Sequence, residues 1–127
     1  MKLKDTKERY KMQIDSELIS FLENISESNE PLSLSYSDFF PIESIIDYRT
    51  ITFNTDCTRI EYNDYCRENT KKIIININST KSHSQKITQK MIKLIRSQFI
   101  NDNIEVLMGG LISENEIEPT VDIVLYR

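Results

Sequence analysis

Apolar positions recur along this chain with two periods, and the switches between them mark out its elements. From Asp5 to Ser26, Ile14, Leu18, Phe21, Leu22 and Ile25 fall at three- and four-residue steps, which predicts an amphipathic helix. The polar run Ser26–Pro31 ends it, because Pro31 biases Glu30 toward extended backbone. Leu32, Leu34 and Tyr36 then alternate as a connector. Ser37-Asp38 has the form of a helix start, with Pro41 tolerated in a first turn and Ile42, Ile45 and Ile46 as a short buried stripe.

The period changes to two at Arg49–Asn54, a β-branched run with Ile51 and Phe53 on one face, which predicts a strand. Between Thr58 and Asn69, Ile60, Tyr65 and Cys66 mark a short, mostly solvated helix. Lys72–Asn78 reads as a strand buried on at least one face. Ser82 and Gln85 have the spacing of a capping box. The helix after them carries Ile87, Met91, Leu94, Ile95 and Phe99 on one side, with Lys86, Lys90, Lys93 and Arg96 on the other. Asn101-Asp102-Asn103 stops it. Two strands follow, Ile104–Ile112 and Thr120–Tyr126, joined by an acidic loop. The predicted fold is α+β: a four-stranded mixed sheet with helices packed against it, preceded by an N-terminal helix. It is expected as one domain over residues 1–127, with 1–31 the helix and connector and 32–127 the sheet and its helices.

Both glycines of the chain, Gly109 and Gly110, sit side by side inside the strand Ile104–Ile112. Paired glycines there predict a bulge or the close approach of a helix or another backbone.

Composition adds limits. The 39% hydrophobic and 28% charged fractions are those of a globular protein. The apolar runs are too short to cross a membrane, the start is charged rather than signal-like, and a cytoplasmic place is expected. The net charge of −4 hides segregation: eight acids and no base lie between Met12 and Tyr48, and seven bases and no acid between Lys71 and Ile100. That layout suits head-to-tail self-association, a charged partner or simple solubility, and any weak self-association should weaken with salt.

Candidate chemistry is sparse. Cys57 and Cys66 lie nine apart with no histidine nearby, which is not zinc spacing. His83, the only histidine, precedes an amphipathic segment and is expected to be exposed or capping. There is no Ser-His-Asp pattern, HExxH or glycine-rich phosphate loop, so the chain is expected to be no enzyme and to hold no metal or cofactor.

The residues 71–80 (KKIIININST), the helix to Phe99, 104–116 (IEVLMGGLISENE) and 119–127 (PTVDIVLYR) together resemble the C-terminal domain of FtsZ, the bacterial homologue of tubulin. The likeness continues upstream, where Ser33-Leu34-Ser35-Tyr36-Ser37-Asp38 stands in the place of a family loop of pattern N-x-D-x-x-D. In the family, the two acids of that loop reach the nucleotide of the neighbouring subunit and assist water attack. Here Ser35 replaces the first and only Asp38 remains, and the GTP-binding half is missing. A serine has no charge and no tendency to take a proton near neutral pH.

The resemblance therefore implies a non-catalytic interaction domain, with FtsZ or another tubulin-like protein of cell division as partner. Its expected interface is Ser33, Ser35 and Asp38 together with Lys86, Lys90, Lys93 and Arg96. Asp38 has a plainer reading as a helix N-terminal residue that answers free N–H groups. Two alternatives remain beside the interaction domain: nucleic-acid binding by the basic face of helix 82–100, which lacks interleaved aromatic residues, and a small-molecule regulatory domain.

Overall fold

The computed structural model describes residues 16–27, 31–32, 34, 36–53, 60–101, 103–115 and 117–127. Ile14, the candidate interface residues Ser33 and Ser35, and Cys57 lie outside them. The elements are α1 (Ser16–Glu27), the two-residue β1 (Pro31–Leu32), two 3-10 turns (Tyr36–Phe39 and Ile42–Ser44), β2 (Ile45–Thr52), α2 (Asp64–Asn69), β3 (Lys72–Thr80), α3 (Lys81–Gln98), β4 (Glu105–Ser113) and β5 (Thr120–Tyr126).

The fold is α+β. Four long strands form a mixed sheet, extended at one edge by β1, in the order β1-β4-β3-β5-β2. β3 and β4 run parallel and are joined by α3, as a parallel pair requires a crossover. The β2–β5, β5–β3 and β1–β4 pairs are antiparallel. β3 is therefore central, and its isoleucines explain why. Ile73, Ile75 and Ile77 enter a core with Ile87, Met91 and Phe99 of α3, while Ile74 points the other way into a core with Leu18, Leu22 and Ile25 of α1. A strand buried on both faces needs a near-continuous apolar run, and this is one.

Three expectations are corrected. Ile42, Ile45 and Ile46 form no helical stripe: Ile42 is buried in a 3-10 turn, and the strand begins at Ile45, four residues before Arg49. Ile45 packs in the α1-side core and Ile46 in the α3-side core. Pairing of Ile45 with Tyr126 and of Asp47 with Leu125, across a bulge, outweighs the helix pattern. Asp38 accordingly lies in the first 3-10 turn, not at the start of an α-helix. The Ser82–Gln85 capping box is also absent. β3 runs to Thr80 and α3 starts at the next residue, so Thr80 is the N-cap, and it makes no side-chain capping bond. Ser82 instead shares a hydrogen bond with the Thr80 hydroxyl, 3.1 Å between oxygens.

Of the two glycines, Gly110 is the one that a close approach requires. Gly110 opposes Ile77 of β3 and has φ of +152°, a region that side-chain-bearing residues rarely adopt. A Cβ there would overlap the Ile77 carbonyl oxygen and lie 2.8 Å from its carbon.

Candidate functional site

The residues that sequence reasoning singled out fall on opposite sides of the sheet. Asp38 is half-buried on the α1 side, in a turn that two side chains hold from below. Lys72, the first residue of β3, donates from Nζ to the carbonyls of Asp38 at 2.6 Å and Phe40 at 2.9 Å. Tyr126, the last residue of β5, donates its hydroxyl to the Phe39 carbonyl at 2.8 Å. Lys72 Nζ also sits 4.2 Å from the centroid of the Tyr126 ring. Phe39 is fully buried between these anchors, while Ser37, Pro41 and Glu43 stay exposed. The result is a surface turn fixed by one cation and one phenol. Neither Lys72 nor Tyr126 stood out in the sequence, because each reads as the polar end of a strand.

The four candidate basic residues of α3, Lys86, Lys90, Lys93 and Arg96, do not make one surface. Lys90 and Lys93 line a groove with Phe53, Leu94 and Ser97, and Lys90 Nζ lies 6.0 Å from the Phe53 ring centroid. Arg96 lines a different groove with Ile92, Ile95 and Phe99. Lys86 is exposed and lines neither. α3 ends against α2: Arg67 donates to the Gln98 carbonyl at 2.8 Å, and Gln98 donates to that of Ile60 at 2.8 Å. His83 is exposed in the first turn of α3, and Cys66 is a buried thiol whose pKa burial pushes up.

A second polar cluster lies on the α1 side of the sheet. The Asp122 carboxylate accepts from Asn76 at 2.9 Å, from Asn78 at 3.4 Å and from the Thr50 hydroxyl, so β2, β5 and β3 are tied across one carboxylate. Asn78 also donates to Thr120 at 3.2 Å. Asn76 is fully buried. Such a network fixes strand register, since a slip by one residue would bury these groups without partners. The signal was present in the sequence as asparagines at alternate positions within an isoleucine run.

Among the described residues no group of histidine, cysteine, aspartate or glutamate is placed to hold a metal ion. None of the described helices is long and apolar enough to cross a membrane. No model of a known protein family matches the chain, and no curated protein matches it.

The buried phenols carry a pH prediction. Burial drives the pKa of Tyr62 and of Tyr126 well above the ordinary tyrosine value, with Arg49 partly offsetting it at Tyr62 and Asp38 adding to it at Tyr126. A raised folded pKa stabilises the fold fully below the unfolded value of about 10, and this contribution falls as pH rises past it, by about 1.4 kcal/mol per pH unit for each tyrosine. Lys72 has the opposite sign. Its pKa is lowered by burial, against the attraction of Glu105 and Asp38, so its contribution grows as pH rises toward about 10.4. The tyrosines outnumber it, and urea midpoints are expected to fall steeply between about pH 10 and 11.5. The Tyr62 hydroxyl is buried with no hydrogen-bond partner among the described residues. Tyr62→Phe should therefore raise stability at pH 7 by about 1 kcal/mol and flatten the alkaline limb. An unchanged limb in that variant would reject the assignment.

Proposed function

We propose that this chain is a non-catalytic, tubulin-like protein-interaction domain that binds an FtsZ-type polymer of cell division through the surface around Asp38. One observation carries the reading: the turn Tyr36–Phe39, which overlaps the stretch where the resemblance puts the family's loop, is anchored by Lys72 and Tyr126 with Ser37 exposed and Asp38 half-buried. A fixed surface loop loses little freedom when it meets a partner, which favours binding. The mixed sheet and the order of strands and helices along the second half of the chain agree with what the resemblance implies. On this reading the domain occupies one face of a subunit and does not itself supply a nucleotide site to the next. It would cap a filament.

The test is sedimentation of FtsZ from the same cell with GTP, across a titration of this chain. Polymer mass is expected to change with dose, and the chain should co-pellet. Replacing Ser35 and Asp38 together with alanine should raise the concentration needed by about fivefold or more, the effect of losing one substantial contact. The bond from Lys72 uses the backbone carbonyl of Asp38 and not its carboxylate, and circular dichroism of the double variant checks that it is folded. Unchanged polymer with no co-pelleting would reject the reading.

A further inference from the structure

The exposed edge of β4 has a use that the turn at Asp38 does not share. Among the described residues β1 covers β4 only at Gly110 and Leu111, and Leu34 is buried in the α1-side core. Among the described residues, nothing pairs with β4 along Glu105–Gly109 on that side. The Glu105 N–H is turned inward, donating to the Lys71 carbonyl at 3.0 Å. With the period-two alternation of a strand, the N–H and C=O groups of Val106 and Met108 then point outward along the open edge.

The same two residues line a groove on the α3 side. Val106 and Met108 form its floor with Ile104, and Ile92, Ile95 and Phe99 form its helical wall, around a volume of about 640 Å³. Val106 is 38% exposed and Ile100, beside the groove in sequence, is 65% exposed. Among the described residues the polar lining is Asn101 and Arg96, and Arg96 is its only charge. α3 as a whole carries five bases and no acid. Glu105 does not neutralise this side, because its side chain alternates to the other face, where its charge acts on Lys72.

We propose that the β4 edge and this groove bind an extended, acidic segment of a partner protein by strand addition. The segment pairs its backbone with Val106 and Met108, places apolar side chains at alternate positions in the groove, and sets a carboxylate against Arg96. An open strand edge supplies affinity through main-chain bonds and a flanking groove supplies selection through every second side chain. The charge of α3 selects the sign of the partner. This surface is on the α3 side of the sheet, and Asp38 is on the α1 side, so the inference stands whether or not the polymer reading holds.

The test begins by selecting a phage-displayed peptide library on the full chain, synthesising the enriched peptides and following amide shifts by NMR. Enriched peptides should alternate apolar and polar residues and carry Asp or Glu, and the shifts should centre on residues 92–101 and 104–110. Arg96→Gln, an exposed substitution, should weaken binding by up to about fivefold. N-methylation of one peptide amide facing β4 should weaken it about tenfold, and methylation at the neighbouring position should not. The methylation arm leaves the protein untouched, so misfolding cannot imitate it. The proposal is overturned by a lack of enrichment, by basic consensus peptides, by shifts centred on Lys90 and Phe53, or by insensitivity to methylation. Concentration-dependent dimerisation that displaces the peptide would assign the edge to a second copy and overturn it as well.

Discussion

Gly110→Ala should destabilise the chain by about 2–6 kcal/mol. Two costs combine. A φ of +152° is strained for alanine, by about 1–3 kcal/mol. The added Cβ also meets backbone, not a side chain that can swing away: the Ile77 carbonyl carbon lies 2.8 Å from it and the Ile77 nitrogen 2.9 Å. Relief requires β3 and β4 to separate, a shift of the overpacking kind worth about another 1–3 kcal/mol. Against a total stability of about 5–15 kcal/mol, that can leave the variant largely unfolded at 37 °C. Urea unfolding followed by circular dichroism measures it, and a loss under about 1 kcal/mol would show that Ile77 and Gly110 are not in this close contact. Gly109 has no positive φ and makes no comparable backbone demand.

The second large effect is expected at Ile75. It is fully buried in the central strand, on the α3 side with Met91 and Ile123. Ile75→Ala should cost about 2–5 kcal/mol, the transfer of the lost methyl groups plus the cavity they leave. The upper part of that range is favoured because the site cannot collapse easily. The neighbouring residue Asn76 points to the other face, where its bond to Asp122 pins β3 against β5. Ile75→Val should cost about 0.5–1.5 kcal/mol. Both variants should shift the urea midpoint with an unchanged slope. A changed slope would mean that α3 has come loose as a unit and not merely lost contacts.

These two sites show how unevenly the fold was legible. The strands β3, β4 and β5 and the helix α3 were readable because their side chains obey one period over many residues and face a core on a fixed side. The glycine pair was readable too, as a demand for close approach, though not which carbonyl made the approach. The stretch from Tyr36 to Tyr48 was not. Ile42, Ile45 and Ile46 have helical spacing, yet Ile45 and Ile46 serve two cores on opposite sides of a sheet. Only β5, far along the chain, reveals that need. Lys72 and Tyr126 were hidden for the same reason: what makes them anchors is a turn more than thirty residues away from one and more than eighty from the other. Of the seven candidate interface residues, Ser33 and Ser35 lie outside the described residues, and the basic four divide between two grooves and an exposed position. Helical spacing alone does not tell which groove a lysine borders, because that depends on what packs beside the helix.

The position of β5 also bears on synthesis. The ribosome makes β2 some seventy residues before β5, yet β5 sits between β2 and β3 and is, among the described residues, the only strand that β2 pairs with. A growing chain can join β3, α3 and β4 as soon as they emerge, since these are contiguous and pair with one another. β2 must wait with both edges open until residue 126 has been added. During that interval Ile45, Ile46 and Ile51 have no sheet to enter, and the nascent chain exposes a β-branched segment suited to wrong pairing. Completion is then a single late insertion, in which β5, the last made of the four long strands, closes the gap between the β3–β4 pair and β2.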